Sequence, residues 1–284
     1  MKKQLALLAL TAAITSQAQA AKVEVTINNA TAGTAFTPYA VSAHNKGVKF
    51  YTIGEMASAE LQAIAEGGDT SMLIEKVNMS GYGMASQQNP ESGLTFPGQS
   101  HTFMLDTMDY KYLSIASMLL PSNDGFVGLD SWTIPQVSGT YSIKLDGYDA
   151  GTELNDEIVN GGGMPGAAGI PANPIGMSNT GGMAYPYLSE NEYVHVHPGI
   201  VGDNDPMGGY SDLDSRVHRF LNPVATVTIK VMADEAMMWS GEQVAYEVGD
   251  MVSYMGMTYK VVHAHTSNPT WKPGSVWFFE AYSN

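Results

Sequence analysis

Apolar and polar residues alternate strictly at two places in this chain. Over residues 22–28, Val23, Val25 and Ile27 fall on one side and Glu24 and Thr26 on the other. Over 224–232, Val227, Ile229 and Val231 alternate with Thr226, Thr228 and Lys230. A period of two places each segment in a half-buried strand. Residues 102–105, 112–118, 140–145 and 193–197 are short, β-branched or aromatic, and bounded by Gly, Pro, Asn and Asp. They also read as strands. Only 55–66 carries a good helical pattern, with Met56, Leu61 and Ile64 as its apolar positions and Gly67-Gly68 as its stop. Many short strands and one helix predict an all-β protein built on an antiparallel β-sandwich.

Two stretches depart from this rhythm. Residues 160–184 are rich in Gly, Pro, Ala, Met and Asn, include Gly161-Gly162-Gly163 and Pro171-Ala172-Asn173-Pro174, and fit no period. A loop of that length is expected to be a mobile surface excursion. The last 46 residues hold three of the four tryptophans, Trp239, Trp271 and Trp277. A boundary near Asp234 is therefore expected. It divides the chain into a sandwich domain (21–233) and a small C-terminal β module (234–284).

The first twenty residues change the picture of where the chain works. Lys2 and Lys3 precede an apolar run over 5–14, and Ala18-Gln19-Ala20 forms a small-x-small step. This is the pattern of an export signal (1–20), and its apolar core is too short to span a bilayer. No later segment is long enough either, so no membrane insertion is expected. Without those residues the chain carries 11 basic and 28 acidic side chains. Such a balance argues against nucleic acid and anionic membranes, and suits a soluble exported protein or a cation binder. With no cysteine there are no disulfides, and the chain is long enough to bury a core without them.

Candidate chemistry gathers in residues 117–157, where apolar strand material twice gives way to an acidic turn. Asp124 lies in the first turn, and Asp149, Glu153, Asp156 and Glu157 lie in or after the second. Carboxylates on neighbouring loops at one end of a sandwich suit a hard cation such as Ca²⁺. Solvated turn acids would give the same spacing. The acidic run Asp203-Asn204-Asp205 is followed by Pro206 and lacks the later glutamate of a twelve-residue calcium loop. His195 and His197, two apart on a predicted strand, share a side and could form a metal site with His44. Core or surface histidines bonded to backbone fit that pattern equally. There is no cysteine nucleophile, Gly-x-Ser-x-Gly elbow, His-Glu-x-x-His or phosphate loop.

Residues 23–232 resemble the spondin N-terminal domain in its secreted bacterial form. The resemblance rests on Phe36-Thr37-Pro38, Ala43-His44-Asn45 and the helix-bearing segment 54–67. It continues through Ala116-Ser117-Met118, the run Pro121-Ser122-Asn123-Asp124-Gly125-Phe126-Val127-Gly128, Asp149-Ala150-Gly151-Thr152-Glu153 and Asn222-Pro223-Val224-Ala225. It implies a calcium-binding β-sandwich used in extracellular adhesion, with no enzymatic activity. By the same resemblance the calcium ligands are Asp124, Asp149 and Glu153. Animal members usually carry Asp at the last position, and they have disulfides that this chain lacks.

The tail resembles a second family, the small chitin- or cellulose-binding modules appended to bacterial chitinases. The residues are the run from Tyr246 through Gly249-Asp250 to Tyr259-Lys260, then His265-Thr266-Ser267, Trp271-Lys272-Pro273 and Trp277. The resemblance implies that Trp271 contacts the polymer, with Trp277 and Tyr259 as further candidates. In that family the position of Trp277 is more often core. A related branch places an aromatic pair where this chain has His263 to His265. Taken together, the expectation is a secreted calcium-binding adhesion or matrix protein that docks on chitin or a similar polysaccharide. The alternative is a polysaccharide hydrolase with a targeting module, because acid pairs are plentiful.

Overall fold

The computed structural model describes residues 22–176, 180–185, 192–205, 207–232 and 236–282. The segment expected to be an export signal (1–20) and the boundary expected at Asp234 lie outside the described residues. Close contacts divide the chain after Val231 into two compact units.

The larger unit is a sandwich with a third layer. Its strands are β1 (Lys22–Asn29), β2 (Ala35–Phe36), β3 (Tyr39–His44), β4 (Gly83–Gln88), β5 (Ser100–Asp106), β6 (Tyr112–Leu120), β7 (Gly125–Thr133), β8 (Gly139–Leu145), β9 (Gly147–Asp149), β10 (His195–Val196) and β11 (Ala225–Val231). One sheet runs β5-β1-β11-β8. The other runs β10-β9-β7-β6-β3-β4, with β2 against β6. Every named strand pairing in this unit is antiparallel. The alternating residues do what their period predicts. Val23, Val25, Ile27, Val227, Ile229 and Val231 all turn inward onto Tyr39, Val41, Leu113, Ile115 and Val127 of the facing sheet.

The second sheet is covered on both sides. Its outer face packs on two helices, α1 (Ala59–Gly67) and α2 (Ser71–Ser80), through Ile64, Leu73 and Val77 against Ala40, Phe50 and Ala116. Strand β3 is consequently buried at every position, and doubly covered strands lose the alternation that marks a half-buried one. This is why β3 and β7 do not show in the periodicity. Two helices replace the single one expected. The first starts at Ala59 rather than at 55, because the Ser58 hydroxyl accepts from Leu61 N–H at 3.3 Å and caps it. Met56 lies before the cap, in solvent. The second helix presents only Leu73 and Val77, one turn apart, to the core. That stripe is too narrow to stand out in a ten-residue segment.

Glycine permits two close approaches in β7. A Cβ at Gly125 would lie 2.6 Å from the Ser122 hydroxyl and 3.0 Å from the His197 ring, and one at Gly128 would lie 2.7 Å from the Tyr51 ring.

The smaller unit has its own core of Tyr246, Val252, Tyr259, Val261 and Phe279. It is built from β12 (Met237–Met238), β13 (Ala245–Tyr246), β14 (Met251–Tyr254), β15 (Met257–Val261), β16 (His265–Thr266) and β17 (Phe279–Tyr282). A four-stranded sheet β12-β14-β15-β17 accompanies the pair β13-β16. The β12–β14 pairing is parallel and the others are antiparallel.

Candidate functional sites: a buried acidic cradle and an aromatic surface

The hairpin between β6 and β7 brings Asp124 to one end of the second sheet, where Gly125 pairs with Asp149 and Asp149 with His195. Asp124 is completely buried. Its Oδ2 accepts the Thr152 N–H at 2.7 Å, the Glu153 N–H at 3.1 Å and the Thr152 hydroxyl at 3.3 Å. Asp149 accepts the Gly151 N–H at 2.8 Å and the Asn155 amide at 2.6 Å. Glu153 accepts the Gly169 N–H at 2.9 Å. Asn123 ties these loops together: its amide donates to Asp156 at 2.8 Å, and its carbonyl oxygen accepts the Glu157 N–H at 3.2 Å.

Two carboxylate oxygens in this cradle are buried with no hydrogen-bond partner, Asp124 Oδ1 and Glu153 Oε1, and so is His197 Nε2. No lysine or arginine pairs with Asp124, Asp149 or Glu153 among the described residues; the His195 ring lies 3.7 Å from Asp149. Burial, reinforced by the Asp149 carboxylate, pushes the Asp124 carboxyl up to about 7. Burial does the same to Glu153, pushed up to about 7 with help from Glu66 and Asp124. Burial holds His197 down to about 4, against the pull of Asp149. A buried acidic pair without countercharge is the donor chemistry a hard cation takes. Even so, no three His, Asp or Glu side chains among the described residues are grouped to hold a metal ion.

The remaining candidates disperse. Glu157 turns away to accept the Val201 N–H at 2.6 Å, the Gly202 N–H at 2.8 Å and the Ser211 hydroxyl at 2.6 Å. The three histidines do not meet. His44 pairs with Tyr112, which pairs with Thr133 at the far end of β7 from Gly125. There its ring bonds the Ser114 hydroxyl at 2.7 Å. The glycine-rich excursion is anchored rather than free. Glu66 accepts the Gly166 N–H at 2.6 Å, Asp212 accepts those of Gly181 and Gly182 at 3.0 Å each, and Ile170 is fully buried. The acids that hold it lie far away in sequence, so its composition alone misreads it.

In the smaller unit the chain turns twice around Trp271. Trp271 N–H donates to Asn268 O at 3.0 Å, and Ser275 N–H donates to Lys272 O at 3.0 Å. The Asn268 side chain fixes the first turn by accepting the Thr270 N–H at 2.9 Å. The Trp271 ring is half-buried, edge-on to Phe278 at 5.1 Å. Trp277, a further sugar-contact candidate at a position more often core in that family, is 69% exposed. Tyr259, expected among the sugar contacts, is 5% exposed. Its ring is a core element of the sheet, with its hydroxyl under Gly274. It offers no face to a polymer. His265 stacks on Phe278 at 4.5 Å.

Residues 28–156 match the Spondin_N family, and residues 239–277 match carbohydrate-binding module family 5/12. The chain thus carries both segments in the order the sequence motifs indicate. The first match ends at the acidic cradle, and the anchored excursion falls after it. No curated protein matches the chain. The pair of matches suggests an extracellular protein with affinity for polysaccharide. No helix among the described residues is long and apolar enough to cross a membrane.

Proposed function

We propose that this chain is an exported, non-catalytic adhesion or matrix protein that docks on chitin, or a closely related insoluble polysaccharide, through Trp271. The observation that carries the reading is the indole itself, partly open to solvent and set in two consecutive hydrogen-bonded turns within a carbohydrate-binding module. A ring laid on a sugar face buries about 60 Å² of apolar surface, worth roughly 1.5 kcal/mol. One such contact is weak, and an insoluble polymer compensates by offering many sites at once.

In the same reading calcium braces the sandwich. Asp124, Asp149 and Glu153 would hold it, the first and last through oxygens that lack a protein partner. The ion would supply the positive charge that this buried acidic cradle otherwise lacks. Backbone N–H groups hold the other oxygens of these carboxylates in place. Asp124 has no face open to a substrate, which favours bracing over general acid catalysis.

The test is retention of the full chain on chitin beads, with Trp271→Ala alongside and with calcium or chelator present. Wild type is retained, Trp271→Ala is lost or weakened about tenfold, and neither releases soluble sugar. Equal retention of both proteins would remove Trp271 from the contact. Sugar release by the purified wild type would move the protein to the hydrolases.

A further inference from the structure

Methionine, leucine and isoleucine are close in size, and all three are ordinarily core residues. This chain separates them. Among the described residues fourteen methionines are exposed, whereas Ile53, Leu154 and Leu221 are the only isoleucine and leucines that are. Met118, on β6, is the methionine kept inside, at 1% exposure. A surface that merely tolerated apolar side chains would carry leucine as readily. What methionine adds is a polarisable thioether on an unbranched stem. The sulfurs do not converge. Met79 lies on α2, Met84 on β4, Met104 on β5, Met164 and Met207 in loops, and Met255 in the turn between β14 and β15. A soft-metal centre gathers its ligands and a docking patch is contiguous, so this scatter over both units fits neither. It suits a small reactant that arrives from solvent in any direction.

We infer that the exposed methionines are a distributed modification site that consumes two-electron oxidants of the hypohalous acid class. With hypochlorous acid, one S–O bond forms and the O–Cl bond breaks. Sulfur gives up two electrons, chlorine leaves as chloride, and the proton passes to water. The product is methionine sulfoxide, which a reductase can return to the thioether. The chain has no cysteine to compete for the oxidant. A sulfoxide is polar and disrupts packing in a core. At the exposed positions it stays in water, and Met118, where it would do damage, is shielded. Indole is the next side chain to react, more slowly than a thioether, and Trp277 is 69% exposed. While oxidant is limiting, the methionines therefore spare Trp277 and leave the fold intact.

The test treats the full chain with hypochlorous acid at rising molar ratio and reads each site by peptide mass. The exposed methionines should take one oxygen each, about fourteen in all, before Met118 or Trp277 changes. The urea midpoint of the sandwich should stay level over that interval. Methionine sulfoxide reductases with a thiol reductant should then return the mass to its starting value. Met237→Leu, Met238→Leu, Met255→Leu and Met257→Leu, combined, should bring the first Trp277 product forward by about four equivalents of oxidant, one for each thioether removed. Oxidation of Met118 or Trp277 alongside the exposed set would overturn the inference, and so would a urea midpoint that falls as sulfoxides accumulate. An unshifted onset of Trp277 oxidation in the leucine variant would do the same. The site map is made on unmutated protein, so it decides the matter even if that variant fails to fold.

Discussion

The sandwich and the tail module treat their side chains in opposite ways. At the acidic end of the sandwich, charged groups turn inward. Asp124, Asp149, Glu153, Glu157 and Asp212 each accept backbone N–H groups from loops that have few bonds of their own. In the module, apolar groups turn outward, and Trp277 faces solvent on a frame of smaller rings. The first arrangement orders irregular backbone at the cost of burying charge. The second gives up burial and keeps a surface for contact. An acidic composition suggested a solvated, self-repelling surface, yet several of the acids are structural acceptors. Buried acids at that end of the sandwich hold loop backbone in place, while the module leaves an indole open to solvent.

That contrast can be broken at Asp124. If its carboxylate organises backbone, Asp124→Ala leaves the Thr152 and Glu153 N–H groups without their acceptor. The expected loss is about 3 kcal/mol of sandwich stability in urea titrations, even in chelator. A side chain serving only as a cation ligand would behave differently. In chelator, its removal would leave stability unchanged or improve it, because a buried charge would be gone.

Calcium and pH sharpen the same point. A cation bound at a hundredfold excess over its Kd would add about 2.7 kcal/mol, read as a higher Tm than in chelator. Without the ion, the carboxyls of Asp124 and Glu153 titrate near 7 in the folded chain and in the ordinary range near ~4 when unfolded. The folded chain then binds more protons across that window, so stability is lost as pH rises through it. His197, held down to about 4 from 6.5, opposes this between those two values. The fall should therefore emerge most clearly between about pH 6.5 and 7.5, in chelator, and flatten with calcium. A chelated Tm that stays level over that interval would show that these carboxyls are not held up by the fold.

The half-buried strands were legible, because β1 and β11 each have one wet face and one dry face. The doubly covered β3 and the buried first half of β7 were not, since their covers come from helices elsewhere in the chain. The turn acids were legible as a group, through the runs around Asp124 and Asp149. What each acid holds was not, because its partners are backbone groups up to 100 positions away, as with Glu66 and Gly166. Asn123 lies within the run Pro121 to Gly128, whose spacing does not show its bridging role. In the module, Trp271 was marked by the family resemblance alone, whereas the openness of Trp277 depends on ring packing that no spacing encodes.

The smallest expected effect tests the division of the module into core and surface. Tyr259 lies on β15 and packs among Tyr246, Val252 and Phe279. Its hydroxyl meets Met257 Sδ at 3.8 Å, a weak contact. Tyr259→Phe keeps the buried ring and deletes only that hydroxyl, so stability should shift by less than about 0.5 kcal/mol. Retention on chitin beads should not change, because the ring has no outward face. Loss of retention with an unaltered melting curve would mean that the hydroxyl reaches the polymer. In that case the sugar site would extend under Gly274, and the module would bind through the rim of its core as well as through its exposed indoles.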